Sequence, residues 1–239
     1  MLVRYTQRES VATITMDDGK VNVMSPRMLA ELDAALDRAQ ADRAVVLLTG
    51  REGLFSAGFD LPTLRAGDPE AVDMVRGGFE LAARLLAFPF PVVVACTGHA
   101  IAMGSFLLVA GDLRVGARGP YSISANEVAI GITMPHAAVE LLRQRLTPAA
   151  FNRAVTLAEA FEPEDAVAAG FLDRVVAPAE LAEVARAAAV ALTGLDMEAH
   201  AAGKLRAREH ALTAVRQAIE ADALALRDGG LAVRADADR

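Results

Sequence analysis

The chain has 239 residues, 54% of them hydrophobic and 23% charged, and a net charge of −7. That is enough apolar material for one large domain, or a main domain with a smaller appendage, and it excludes a disordered chain. The acid excess, with no basic run and no interleaved aromatics, speaks against nucleic acid as a partner. No apolar run reaches the ~18 residues of a membrane span, and MLVRYTQRES lacks the form of a signal peptide, so a cytoplasmic protein is expected.

Loose alternation of Val3, Tyr5, Val11, Thr13 and Thr15 around Arg8–Glu9–Ser10 predicts a β-hairpin. Ser25–Pro26 supplies an N-cap and a first-turn proline, and Leu29, Leu32, Leu36 and Ala39 share one face of the helix that follows. The apolar runs Ala44–Thr49 and Pro91–Cys96 read as strands covered on both sides. Between them, Asp68–Pro69 opens a helix with Val72, Val75, Phe79 and Leu86 inward, stopped at Pro89. A helix over about 102–110 leads to a strand at Leu113–Ala117. Thr147–Pro148, Pro163–Glu164 and Pro178–Ala179 mark further helix starts, and Gly170 a helix end before a strand at Phe171–Val176. This alternation predicts α/β architecture with mainly parallel pairing. Cys96, the single cysteine, falls inside an apolar strand and reads as a buried, inert thiol. Beyond Gly194 the pattern is purely helical, with a seam of Leu205, Leu212, Ile219 and Leu226 that either packs on its own domain or meets a second subunit. The final DGGLAVRADADR reads as loose.

Two stretches share one design. Phe55–Leu61 (FSAGFDL) and Gly98–Asp112 (GHAIAMGSFLLVAGD) each follow an apolar run and place small residues where a helix should begin. Such a strand–turn–helix junction leaves backbone N–H groups facing outward without a helical acceptor. Two of them converging would make a paired donor site for an oxyanion. Spacing alone favours a plainer role for Gly104 and for Ser56–Gly58, the close packing of a helix on a strand. Gly98 and Gly104 lack the middle glycine and the GK[ST] of nucleotide loops, and the four histidines show no zinc spacing.

Taken together, Lys20–Ser25 (KVNVMS), FSAGFDL, Gly98–Gly104 (GHAIAMG), Ala125–Val128 with Gly131 and Pro135, and Ala166–Phe171 give the chain its resemblance to the crotonase, or enoyl-CoA hydratase/isomerase, superfamily. The resemblance runs over nearly the whole length. It implies a crotonase-like spiral of ββα turns over residues 1–193 and a C-terminal helical region over 194–239 that supports trimers, often paired into hexamers. It implies an acyl-CoA thioester as substrate, coenzyme A entering as part of that substrate with no separate cofactor. The shared chemistry is stabilisation of a thioester enolate by two backbone donors. Carried over residue by residue, these are the N–H groups of Phe59 and Met103, with Glu127 as acid and base. Lys20, Val21, Asn22, Arg27, Ala57, Gly58, Asp60, Leu61, Gly104 and Phe106 would surround the substrate, with Lys20 and Arg27 nearest the phosphates.

Departures from the family pattern select among reactions. Consecutive glycines are usual where this chain has Ala102–Met103–Gly104, and hydratases carry a glutamate where it has Phe106. Hydration divides its proton transfers between two carboxyl groups, whereas one base can move a double bond from β,γ to α,β. Glu127 alone therefore favours a Δ3-to-Δ2-enoyl-CoA isomerase, with a hydratase or a non-catalytic acyl-CoA binder as alternatives. Phe106 is expected to dry the pocket wall and raise the Glu127 pKa. By composition alone Glu127 is a solvated turn residue. Asp60 reads as a cap, Glu80 as surface, Asp112 as a helix-end residue, and His99 and His136 as satisfied loop histidines.

Overall fold

The computed structural model describes residues 1–227; the tail read above as loose lies outside them. The hairpin forms from β1 (Val3–Arg8) and β2 (Val11–Met16), joined at Glu9 and Ser10, both with positive φ, as a two-residue turn that matches strand twist requires. Helix α1 (Pro26–Ala41) starts where Ser25 Oγ accepts from Met28 N. Three strand pairs follow, and each contributes one strand to each of two sheets. They are β3 (Val45–Thr49) with β4 (Gly53–Ser56), β5 (Val92–Cys96) with β6 (Gly98–Ile101), and β7 (Leu113–Ala117) with β8 (Ile123–Ser124). After β4 come α2 (Leu61–Ala66) and α3 (Pro69–Ala87), after β6 comes α4 (Met103–Ala110), and after β8 a 3-10 turn at Val128–Ile130 leads to α5 (His136–Arg143). Helices α6 (Pro148–Leu157), α7 (Pro163–Ala169), α8 (Pro178–Leu192) and α9 (Met197–Arg227), with β9 (Ala160–Phe161) and β10 (Arg174–Val176), complete the described chain.

The larger sheet runs β1-β2-β3-β5-β7-β10, parallel after the first pair, and the smaller runs β4-β6-β8-β9. The result is the expected spiral. On the larger sheet, Val46, Leu48, Val92 and Val94 join the main core, while Val45, Leu47, Val93 and Ala95 are covered by Leu181, Ala185 and Ala189 of α8. Burial on both faces is why these strands read as unbroken apolar runs. The strand expected from Phe171 begins only at Arg174, because Phe171 and Leu172 turn into the core behind Gly170, the left-handed cap of α7. Cys96 is buried, and loss of solvation pushes its thiol pKa up to about 12. Among the described residues no helix is long and apolar enough to cross a membrane.

Part of the α9 seam packs on its own domain. Leu212, Val215 and Ile219 are buried against the α3 and α5 side of the same chain, whereas Leu205 stays 46% exposed. Two polar anchors fix the helix. At its start, Lys204 Nζ lies 2.7 Å and Arg208 2.8 Å from the Asp112 carboxylate, which also accepts from Val92 N. Further along, Asp222 accepts from the backbone N–H groups of His136 and Ala137, capping α5 from outside. Loss of solvation lowers the Lys204 pKa to about 8 although Asp112 opposes the shift. Replacing Asp112 by Ala strands two nearly buried cations, so we expect a loss of about 3 kcal/mol in a urea melt; a loss under ~1 kcal/mol would show that the anchor is dispensable.

Candidate active site

The first donor turn follows β4. Ser56 is fully buried; its Oγ donates to Asn22 O at 2.8 Å and accepts from Gly58 N at 3.2 Å. Ala57 N donates to Val21 O and Met24 N to Gly58 O, so the Lys20–Ser25 strap laces along the turn. With these groups satisfied, the next amide, Phe59 N–H, finds no backbone acceptor among the described residues. Gly58 sits at φ +95°, and a β-carbon there would lie 2.8 Å from Ala102 Cβ and 3.4 Å from Met103 N. The two donor turns are thus in direct contact at Gly58.

The second turn follows β6. Ala102 N donates to Ser124 O, and its carbonyl accepts from Ser105 and Phe106 N–H at the start of α4. That aims the adjoining Met103 N–H away from the helix, again with no backbone acceptor among the described residues. Gly104 lets the helix lie on β4: a β-carbon there would meet Ser56 O at 2.5 Å. The side chains of Phe59 and Met103 share a seat over α3 made by Gly78, whose added β-carbon would strike the Phe59 ring at 2.5 Å and approach Met103 Sδ at 3.4 Å. Bulky residues at the donor positions are accommodated because their side chains go backward into this gap. Ala102 holds φ +48°, ψ −122°, a conformation suited to glycine. Ala102→Gly should relieve that strain and raise stability by about 1 kcal/mol; a fall in the urea midpoint would contradict it.

Glu127 opens the third segment. Its carbonyl accepts from Ile130 N and Ile132 N, folding the 3-10 turn back on itself with Gly131 left-handed. The side chain is 6% exposed rather than solvated, and burial pushes its pKa up to about 7. Glu127 lines a cavity of about 130 Å³ with Ala57, Phe59 and Ala102 of the donor turns. Leu61, Leu64, Val75, Ile130, Ile132, Pro135 and, from α9, Leu226 form its apolar wall; Asn126 adds an amide. Among the described residues Glu127 is the one charged group in this lining, so the site is a dry pocket with one titratable carboxyl.

The other expected residues fall in different places. Leu61 is in the wall, and Asp60 caps α2, its carboxylate accepting from Thr63 N and Oγ1. Asn22 is fully buried, its Nδ2 donating to Met16 O and Phe55 O, so its side chain holds the strap and leaves Val21 and Lys20 at the surface. Arg27 is exposed and paired with Glu31 at 2.9 Å. Phe106, expected in the pocket wall, lies one layer back: its ring stacks on Phe79 at 5.9 Å, and Phe79 meets Phe59 edge-on at 6.0 Å. The dryness around Glu127 comes instead from the residues of its own turn and of α9. His136 is exposed and stays outside the cavity, while His99 Nδ1 accepts from Ser122 N. The wall residues Leu64, Val75, Ile130, Ile132 and Pro135 were missed as site residues in the sequence, as were Asn126, whose only signal is its place beside Glu127, and Leu226, visible there only as a seam position. Among the described residues no three His, Cys, Asp or Glu side chains group as a metal site.

Comparison with known proteins finds relatives over most of the chain. A family model described as enoyl-CoA hydratase/isomerase matches residues 6–227. A carnitinyl-CoA dehydratase from Salmonella typhi is 30% identical over 187 residues, 77% of this chain and 71% of its own. A Mycobacterium tuberculosis protein, named an enoyl-CoA isomerase in one solved structure and a probable enoyl-CoA hydratase in another, superposes with a TM-score of 0.90 at 51% identity, covering 93% of this chain and 98% of that one. An enoyl-CoA hydratase from Mycobacterium ulcerans gives 0.91 at 50%, covering 95% and 99%.

Proposed function

The chain belongs to the enoyl-CoA hydratase/isomerase family of the crotonase superfamily, and on that premise we propose that it shifts the double bond of 3-enoyl-CoA thioesters to the 2-position. The observation that carries the reading is the carboxyl of Glu127, the one acid among the described residues in a cavity that is apolar but for the Asn126 amide and is walled by residues of both donor turns. Glu127 removes the proton at Cα, and the electron pair moves onto the thioester oxygen. Phe59 N–H and Met103 N–H receive that developing charge, fixed donors in a dry site that need no reorganisation. The same carboxyl then returns a proton at Cγ, leaving the double bond between Cα and Cβ. A human mitochondrial neighbour is named a delta3-delta2-enoyl-CoA isomerase; the M. tuberculosis neighbour carries both an isomerase and a probable-hydratase name, and the M. ulcerans and Salmonella proteins carry hydratase and dehydratase names.

A substrate panel decides between the readings. Incubation with 3-enoyl-CoA should yield 2-enoyl-CoA by absorbance of the conjugated thioester. Water addition to 2-enoyl-CoA without any double-bond shift would make the protein a hydratase; micromolar binding with no turnover would make it a binder. We also propose a trimer, on the strength of the family resemblance, to be checked by light scattering.

A further inference from the structure

The cavity beside Glu127 is small, about 130 Å³. For scale, an apolar cavity of about 150 Å³ takes one benzene ring, so this one has room for about five carbons. The reacting carbons must be among them, because Glu127 and the donor-turn residues Ala57, Phe59 and Ala102 line the same space. Part of the wall comes from α9, where Leu226 is half-buried and packs against the main core. A polar bond holds that turn of the helix in place. Leu226 lies four residues after Asp222, and positions four apart share one face of a helix. The Asp222 carboxylate accepts from His136 N at 2.9 Å and from Ala137 N at 2.8 Å. Both amides directly follow Pro135, itself a wall residue. The end of α9 is thus tied to the same wall that Leu226 helps to form, and moving it away breaks two charge-assisted bonds.

We propose that the protein is selective for short-chain enoyl thioesters, with about four to six acyl carbons, and that Leu226 is the residue that sets the limit. Each further methylene has to displace a packed side chain, and protein interiors are dense and give little. Leu226 is well placed to decide the length because its helix is anchored through Asp222, whereas α2, which supplies Leu61 and Leu64, has no buried residue. The inference names the substrate class of the isomerase reading and rests on that reading for turnover, but the size limit itself can be measured by binding alone.

The test compares kcat/KM for 3-butenoyl-, 3-hexenoyl-, 3-octenoyl- and 3-dodecenoyl-CoA. In the parent the value should fall about tenfold or more between 3-hexenoyl- and 3-octenoyl-CoA. Leu226→Ala, which deepens the cavity, should raise the octenoyl-to-hexenoyl ratio about tenfold. That ratio is taken on one preparation, so it does not depend on the fraction of protein that is folded. If the alanine variant yields no folded protein, Leu226→Phe decides by the opposite shift, a fall in the hexenoyl-to-butenoyl ratio. A parent profile that is flat or climbs toward 3-dodecenoyl-CoA would mean that α2 yields and overturns the proposal. So does an octenoyl-to-hexenoyl ratio that Leu226→Ala leaves in place. Should the parent turn over none of these thioesters, calorimetric titration with the saturated butanoyl- to dodecanoyl-CoA series separates the two claims. Affinity that peaks at hexanoyl-CoA keeps the size limit while the isomerase reading falls; affinity that keeps rising to dodecanoyl-CoA removes the size limit as well.

Discussion

Glu127→Gln should abolish conversion of 3-enoyl-CoA while making the folded protein more stable at pH 8. The amide keeps the size of the side chain but cannot take a proton, so loss of general acid–base catalysis should cost about 10³-fold or more in kcat. The pH profile of the parent follows from the same residue. A base must be ionised, so kcat/KM should rise with pH through about 7, where burial has placed the carboxyl. Stability runs the other way. The folded pKa lies above the unfolded value, so the stabilising term is fully present below the unfolded pKa of 4.5 and fades as pH rises through about 7. At pH 8 the parent carries an unpaired buried charge, which by linkage costs about 3 kcal/mol. The Gln variant escapes that cost at pH 8 and gains little at pH 4. Equal melting temperatures for parent and variant at pH 8 would show that Glu127 ionises in contact with water.

Gly58→Ala tests the donor pair. The added methyl would lie 2.8 Å from Ala102 Cβ and 3.1 Å from Ile101 O, on a residue at φ +95° that side chains rarely adopt. Either the first turn rotates or the second recedes, which disturbs the placement of Phe59 N–H and Met103 N–H that we propose as the donor pair. Loss of one such donor lowers turnover by about 10²–10³-fold. Because Gly58 lies in the turn and not against the acyl wall, kcat should fall much more than KM rises. Retention of most of the parent kcat, with the fold intact by circular dichroism, would mean that the amides do not hold the reacting oxygen.

Much of this was legible in the chain because the long elements carry strong local signals. Ser25–Pro26, Asp68–Pro69 and the runs Val45–Thr49 and Val92–Cys96 declare their structure through caps and continuous burial. The smaller sheet was not legible from pattern: β4 and β6 are short, rich in small residues, and carry the donor turns at their ends. Glu127 shows the limit of composition. It reads as a surface turn, and only the motif around it separates it from other glutamates; its burial depends on Ile130, Ile132 and a helix about 100 residues further on. Phe106 failed as a wall residue because helical position gives a direction and not a depth, and Phe79 stands in front of it. The anchors of α9, Asp112 with Lys204 and Asp222 with α5, are long-range pairings that no local spacing announces.

A single sealed carboxyl that carries a proton between two carbons leaves an isotopic trace. Conversion of 3-enoyl-CoA deuterated at Cα, in ordinary water, should give 2-enoyl-CoA with part of the label transferred to Cγ, read by proton NMR and mass spectrometry, and no product with Glu127→Gln. Product formed by the Gln variant, or product from the parent with no label at Cγ even at the shortest reaction times, would contradict a shuttle by Glu127.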